Sequence, residues 1–499
     1  MIHRMLAVGT LHILLAGAAG YAAEAPLEPV QLKGLGVAGH FSARDSGWQI
    51  EKLLPLMRQM GVTVIRQEIL WDEVENPKGV YTIPAVHQQW FDQATGAGLK
   101  VILLLCYGNR NYENPLDPDA FAKYAAFMAG HFKGKVAAYE IWNEPVYFAF
   151  PEKYGGDWNA RNYDAWLKHY AELVAKGAAA LKQADPATPV ITGTGMETAT
   201  HYLLLRYADK LKQVDGLAIH PYTYRLPPES VSFGGPAVMI RDGVAVADDD
   251  HSMTSEFRRL REAMRHQLGR ELPLWVTEFG YSTFNHHPAD SIRDNYAGFS
   301  ESTQAMYLLR GLIQGFAAGV TPWCIYDFMD DGLNRKSAEE NFGLVRNFRK
   351  GYEPKPAFYA LRHLAQLLGP DWEAVAKAPA IVTDTSKELH YIQEWQIPTA
   401  DGFVTLNGMQ VYWFKRGQEY ITFIWKAGPR KDEFNDPLAN LVWENMPAMA
   451  KIEGIDLMTG KSVELDIQQP GGRCAITDIP IRPAPLAIRW QLAPAAPAP

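Results

Sequence analysis

The feature that most constrains this chain is an alternation. Eight short apolar runs, at 35–41, 62–70, 99–107, 136–142, 189–195, 214–222, 274–281 and 320–328, interleave with segments of helical periodicity at 50–60, 121–132, 163–183, 255–268 and 303–318. The runs carry mostly β-branched, aromatic and aliphatic residues, the pattern of strands covered on both sides. Strands separated by helices build parallel sheets. Eight such units predict an α/β fold of (β/α)8 TIM-barrel type over 24–370, with an open, doubly wound sheet as the alternative. Only the closed barrel predicts chemistry contributed by the ends of many strands.

Past residue 370 the helical spacing stops. Runs at 402–406, 410–415, 420–425, 452–457, 462–467, 473–476 and 486–490 read as short strands. Turn material separates them, such as Arg416-Gly417 and Thr459-Gly460. Strands at this spacing without intervening helices predict an antiparallel β-sandwich accessory domain over 371–493. A total of 499 residues suits two or three folding units. The Ala/Pro tail 494–499 is expected to be disordered.

At the start, Arg4 precedes an apolar stretch and the small residues Ala22 and Ala23, so 1–23 reads as a signal peptide and predicts a secreted or periplasmic protein. A permanent anchor is the competing reading; the run is short, and His12 and glycines interrupt it. No later segment is apolar for long enough to span a bilayer, so no membrane anchor is expected once the signal is cleaved. The net charge of −8, without a basic run, argues against nucleic acid as a partner. Cys106, Cys324 and Cys474 lie far apart and form no CxxC pair. Buried free thiols are the simplest reading for them, with one disulfide as the alternative in an oxidising compartment.

Several apparent motifs lack the context their chemistry needs. Gly34-Leu35-Gly36-Val37-Ala38-Gly39 satisfies GxGxxG, but the glycines lie inside the first apolar run instead of between a strand and a helix. His286-His287 has no HExxH or HxH companion, and Asp248-Asp249-Asp250 reads as a solvated loop, so neither a metal nor an organic cofactor is expected. No GxSxG elbow is present.

Two segments do carry chemistry. The fourth run ends in Trp142-Asn143-Glu144-Pro145, and the seventh contains Thr277-Glu278-Phe279-Gly280. A lone glutamate in the body of an apolar strand is costly to bury, whereas at the mouth of a barrel it is usable. Two glutamates at matching strand ends make the pair that glycosidic cleavage needs: one protonated to donate to the leaving oxygen, the other ionised to attack or stabilise an oxocarbenium-like centre.

These segments resemble those of glycoside hydrolase clan A, whose catalytic glutamates stand on strands four and seven. Ile65-Arg66-Gln67-Glu68 with Trp71, Glu73 and Gly79, His220-Pro221-Tyr222, Trp323, and Asn341-Phe342-Gly343-Leu344 followed by Lys355-Pro356-Ala357 extend the likeness, closest to family 39-like or family 5-like enzymes. The resemblance implies a retaining O-glycosidase with Glu144 as acid/base, its pKa raised by burial and by Glu278, and Glu278 as nucleophile. It further implies that Arg66 holds Glu278 ionised, Asn143 binds the sugar 2-hydroxyl, Tyr222 or His220 positions the nucleophile, and Trp323 stacks under the sugar. Trp71 and Trp142 are expected to be structural. The aromatic segment 147–158 is expected to wall one side of the cleft. The implied partner is a β-linked oligo- or polysaccharide. Transfer to a second sugar through the same site and a non-catalytic carbohydrate-binding barrel are the alternatives.

Overall fold

A computed structural model of the chain describes residues 27–41, 47–231, 235–285, 296, 298–375, 381–384, 395–399, 402–406, 409–427, 438–444, 449–469 and 473–492. The expected signal peptide 1–23, His286-His287 and the tail 494–499 lie outside these residues. Each of the eight apolar runs supplies one strand: β1 (Leu35–Ala38), β2 (Val64–Leu70), β3 (Lys100–Cys106), β4 (Ala138–Ile141), β5 (Val190–Thr192), β6 (Gly216–Ile219), β7 (Leu274–Val276) and β8 (Trp323–Ile325). They form a closed parallel barrel in chain order, and β1 seals the ring by lying beside β8, Leu35 opposite Trp323. An open doubly wound sheet is excluded. Several strands are shorter than their runs because the last residues of the run leave the ladder and form the barrel mouth.

The glycines of the GxGxxG sequence serve this closure. A Cβ on Gly36 would lie 2.5 Å from Cys324 Sγ across the β1–β8 seam, and the next helix does not begin until Ile50. No helix N-terminus meets the glycines, so they cannot form a dinucleotide cradle.

Helices Ile50–Met60, Pro118–Phe132, Ala165–Ala184, Met253–Leu268 and Glu301–Ala317 occupy the segments of helical periodicity. Their ends follow local chemistry. Asp117, Ser252 and Ser300 cap three of the N-termini by accepting from Ala120, Ser255 and Thr303 N–H groups. Helices Ala85–Gly96 and Glu197–Tyr207 have no counterpart among the sequence expectations. In the second, every residue from Thr198 to Leu204 is buried, so it has no polar face to create an amphipathic stripe.

Side chains alternate between the two faces of each strand. Val64, Ile102, Ala138, Ile191, Ala218 and Cys324 form one apolar layer inside the barrel. Two residues further along, the same inward faces carry Arg66 and Glu140, so the lumen becomes polar towards the mouth.

Beyond the helix Pro356–Leu368 come the antiparallel sheets. The largest has six strands in the order Ser462–Val463, Met449–Asp456, Leu486–Leu492, Glu419–Lys426, Met409–Arg416 and Glu373–Ala374. A second runs Ile381–Asp384, Leu438–Glu444, Arg473–Pro480 and Asp466–Gln468. Ile424, Ile488 and Trp490 of the first share a core with Leu441, Ile476 and Ile479 of the second, which makes the pair a sandwich. Phe414, Phe423 and Trp425 belong instead to the barrel's own core. Cys106, Cys324 and Cys474 are buried free thiols, which removes the disulfide alternative. Among the described residues no helix is long and apolar enough to cross a membrane.

Candidate active site

Arg66 organises the barrel mouth from below. It rises from β2 into the lumen, where its Nε donates to Glu140 Oε2 at 2.6 Å, Nη1 to Glu278 Oε1 at 2.6 Å and Nη2 to Asn143 Oδ1 at 2.9 Å. A guanidinium presents five donors in a rigid fork, so one side chain fixes three acceptors on β4, its exit and the β7 exit. Glu140 makes this possible: a buried cation needs a buried counter-charge, and the pair lies almost wholly out of solvent.

Glu278 follows the last residue of β7 by two positions. Its second oxygen accepts from Tyr222 OH at 3.2 Å and stands 3.7 Å from His220 Nδ1. Burial alone would raise its pKa, but the charges of His220 and Arg66 and the hydrogen bonds from Arg66 and Tyr222 outweigh burial and hold it below the ordinary carboxylate value.

Glu144 is held differently. Trp142 and Glu144 adopt positive φ angles of 64° and 42°, a backbone region costly for residues with side chains, by about 1–3 kcal/mol each. Gly195, itself at φ 73°, lets the turn close: a Cβ there would sit 2.5–2.8 Å from Glu144 Cγ, Cβ and Cα. The Glu144 carboxylate Oε1 lies 2.8 Å from His220 Nδ1. His220 Nε2 faces Thr277 Oγ1 at 3.0 Å, and Thr277 in turn donates to Glu140 Oε1 at 2.9 Å. Since the threonine proton is committed to Glu140, the imidazole donates from Nε2, and a single proton lies between Nδ1 and Glu144. Burial disfavours charge on His220, yet Glu278 and the bonded Glu144 raise its pKa overall.

The two carboxylates are close. One oxygen of Glu144, one of Glu278 and a ring nitrogen of His220 all lie within 4.8 Å of one another. They open onto a cavity of about 400 Å³ whose lining includes Tyr107, Phe148, Tyr222, Tyr296, Tyr326 and Phe342. The mixture of rings and hydrogen-bonding groups suits the alternating apolar and hydroxylated faces of a sugar.

Five of the expected site residues, Arg66, Asn143, His220, Tyr222 and Glu278, converge on one another and on Glu144. Asn143 contacts Arg66 and donates to Tyr107 OH at 2.9 Å. His220 makes its direct contact with Glu144. Trp323 does not join them. It is wholly buried on the outer face of β8, against Phe257 at 6.2 Å and Phe279 at 5.1 Å. Its expected stacking under a sugar is therefore corrected. Cys324 takes the lumen side of β8, strand alternation turns Trp323 towards the helices, and Tyr326 supplies the aromatic ring on the cavity wall.

Tyr107, Glu140, Thr277, Tyr296 and Tyr326 were not singled out from the sequence. For Glu140 a signal existed, since a charge within an apolar strand two residues from an inward position demands a partner, and Arg66 is the matching anomaly. In the aromatic segment Phe148 lines the cavity, while Phe150 is buried against Trp142 at 5.0 Å. Trp158 lies against Arg241 at 5.4 Å and is absent from the cavity lining, so the segment walls the cleft only in part. Trp71 and Trp142 are buried and structural.

Among the described residues two groups could hold a metal ion: Glu144, His220 and Glu278, and, beside the cavity, His40, Asp327 and Asp331. The acidic run at Asp248 is engaged otherwise, Asp248 pairing with Arg258 and Arg259 and Asp250 accepting from Ser252.

A family model described as Cellulase (glycosyl hydrolase family 5) matches residues 23–310, more than half of the chain. Comparison with curated proteins gives no match. Among solved structures, a family 39 glycoside hydrolase from Bacteroides cellulosilyticus WH2 aligns with a TM-score of 0.65 at 21% identity, over 91% of this chain and 80% of the other. A glucosidase from Croceicoccus marinus aligns at 0.54 with 12% identity, over 94% and 98% of the two chains. A GH30 endoxylanase from Clostridium papyrosolvens C71 gives 0.52 with 12% identity over the same shares. At these identities the likeness is one of fold.

Proposed function

This chain belongs to glycosyl hydrolase family 5, within clan A, and from that premise we propose that it cleaves β-glycosidic bonds in an oligo- or polysaccharide by double displacement, with Glu144 as acid/base and Glu278 as nucleophile. The observation that carries the reading is the spacing of the two carboxylates, an oxygen of each lying within 4.8 Å of the other. Direct attack by one carboxylate requires side chains about 5–5.5 Å apart, whereas an inverting enzyme leaves about 6.5–9.5 Å for a water.

The residues then divide the reaction. Glu278 begins ionised, as its lowered pKa demands of a nucleophile at neutral pH. The proton between Glu144 and His220 Nδ1 passes to the leaving oxygen as Glu278 bonds to the anomeric carbon. In the second half Glu144 takes a proton from water, which attacks the glycosyl-enzyme and frees Glu278. Asn143, oriented by Arg66 and Tyr107, meets the sugar 2-hydroxyl, and Tyr326 offers a ring face. None of these steps requires a cofactor. The expected setting is secreted or periplasmic, where polymeric glycans are met.

Trapping tests the reading. A 2-deoxy-2-fluoro β-glycoside with a good leaving group should add one sugar mass to the peptide containing Glu278. Modification of any other residue, or release of the inverted anomer as first product by NMR, would refute it.

A further inference from the structure

A hydrogen bond joins the C-terminal sandwich to the segment that leaves β6. Glu229 ends the segment that leaves β6 carrying His220 and Tyr222. Its carboxylate is almost fully buried, and Arg310 of the helix Glu301–Ala317 grips both oxygens, with Nε to Oε1 at 2.7 Å. Oε1 accepts a further bond, at 2.7 Å, from the indole Nε1 of Trp425 in the strand Glu419–Lys426. Trp425 is itself wholly buried and stacked on Tyr412, with ring centroids 5.1 Å apart.

Between Glu229 and Tyr222 the chain has little freedom. Leu226 N–H bonds to Thr223 C=O at 2.9 Å and Ser230 N–H to Pro227 C=O at 3.1 Å, so two consecutive turns link the ends. Pro227 and Pro228 fix φ between them, and Gln314 donates to the carbonyl of Pro228. Thr223 shares a 2.6 Å hydrogen bond with Tyr281 OH. A shift at Glu229 therefore passes to Tyr222, whose bond to Glu278 is already long at 3.2 Å. Such a bond weakens steeply with a displacement of a few tenths of an ångström.

From this geometry we infer that Trp425 is a positioning residue for the nucleophile: the sandwich clamps Glu229 and thereby holds Tyr222 against Glu278. The inference rests on the reading of Glu278 as nucleophile. The bond between sandwich and barrel thus sets the protonation and orientation of the attacking carboxylate as well as joining two folded parts.

The test uses the full chain and whichever aryl β-glycoside, from gluco-, manno-, xylo- and galactosides, the wild type hydrolyses fastest. Trp425→Phe keeps an aromatic ring at the contact and removes the donor. It should lower kcat about ten-fold with little change in KM, and move the acid limb of kcat/KM to higher pH, in the direction of Tyr222→Phe. Trp425→His places Nε2 two bonds from Cγ, as the indole places Nε1. It should return the acid limb towards wild type even though the smaller ring lowers Tm further. Ile476→Val, which loosens the sandwich core away from the contact, should lower Tm without moving the limb. If Trp425→Phe does not fold, Tyr412→Leu, which removes the stack that orients the indole, should give the same shift. A wild-type acid limb in Trp425→Phe, with a shifted one in Tyr222→Phe, overturns the clamp. An unshifted Tyr222→Phe likewise overturns the clamp, whereas labelling of a residue other than Glu278 by the 2-fluoro glycoside overturns the nucleophile reading and the clamp with it.

Discussion

The two sides of the barrel mouth hold their carboxylates by different means. On the β7 side Glu278 is fixed by charge: Arg66 and Tyr222 each donate to it, and His220 stands 3.7 Å away. On the β4 side Glu144 is fixed by backbone, standing on a positive-φ turn that only Gly195 allows to close, with His220 as its hydrogen-bond partner. The contrast fits the two tasks proposed for them. A nucleophile must stay ionised and still, whereas an acid/base must exchange a proton twice in each cycle, and a carboxylate wrapped in cationic donors would not take one up.

The largest effect should come from the charged side. Glu278→Ala removes the proposed nucleophile, and kcat should fall by about 10⁴-fold or more with the circular dichroism spectrum unchanged. A variant with near wild-type turnover on the natural substrate would place the nucleophile elsewhere.

Glu144→Ala should separate substrates. Sugars with poor leaving groups should lose about 10²–10⁴-fold in kcat/KM, while dinitrophenyl glycosides, which need no protonation, should lose far less in the first step. Equal losses on both would mean that Glu144 supports the fold instead of delivering a proton.

Arg66→Lys tests what keeps Glu278 ionised. A compact ammonium cannot reproduce the three-acceptor fork, so the carboxylate pKa should rise and the acid limb of kcat/KM should move to higher pH. Activity should then drop more at pH 5 than at pH 7. The same linkage acts on stability. Because the folded pKa of Glu278 lies below its unfolded value, its ionised form stabilises the fold above the unfolded pKa of about 4.3, and this contribution is lost as pH falls through the lower folded value. In Arg66→Lys the folded value moves up towards the unfolded one, so this loss should be smaller and complete at higher pH, which thermal melts from pH 3 to pH 6 would show.

The smallest effect belongs to the backbone side. Gly195→Ala should displace Glu144 and lower kcat on poor leaving groups by about ten-fold, with the acid limb set by Glu278 unmoved. If that limb moved instead, the two sides would not be independent.

How much of this could be read from the residues varies with the kind of constraint. The eight strands were legible because each is a local apolar run, and Glu144 and Glu278 because each ends such a run beside a breaker or a small residue. The helix Glu197–Tyr207 left no signal because burial on all sides erases periodicity. Tyr326 was missed in favour of Trp323 because the resemblance pointed to the tryptophan of the eighth run, while inward or outward direction depends on the register of a strand. Glu140 was legible in principle as an unpaired charge, but its partner stands 74 residues away.

The sequence by itself determined the order of strands and helices, the change to antiparallel sheets and the two glutamates at strand ends, since these rest on local periodicity and on the cost of a charge in an apolar run. Only the tertiary structure decided that Arg66 serves Glu140, Asn143 and Glu278 together, that His220 stands with Glu144 and Tyr222 with Glu278, and that Trp425 reaches Glu229. Those contacts join residues far apart in the chain. They are fixed by barrel closure and by the register of each strand, which no local pattern encodes.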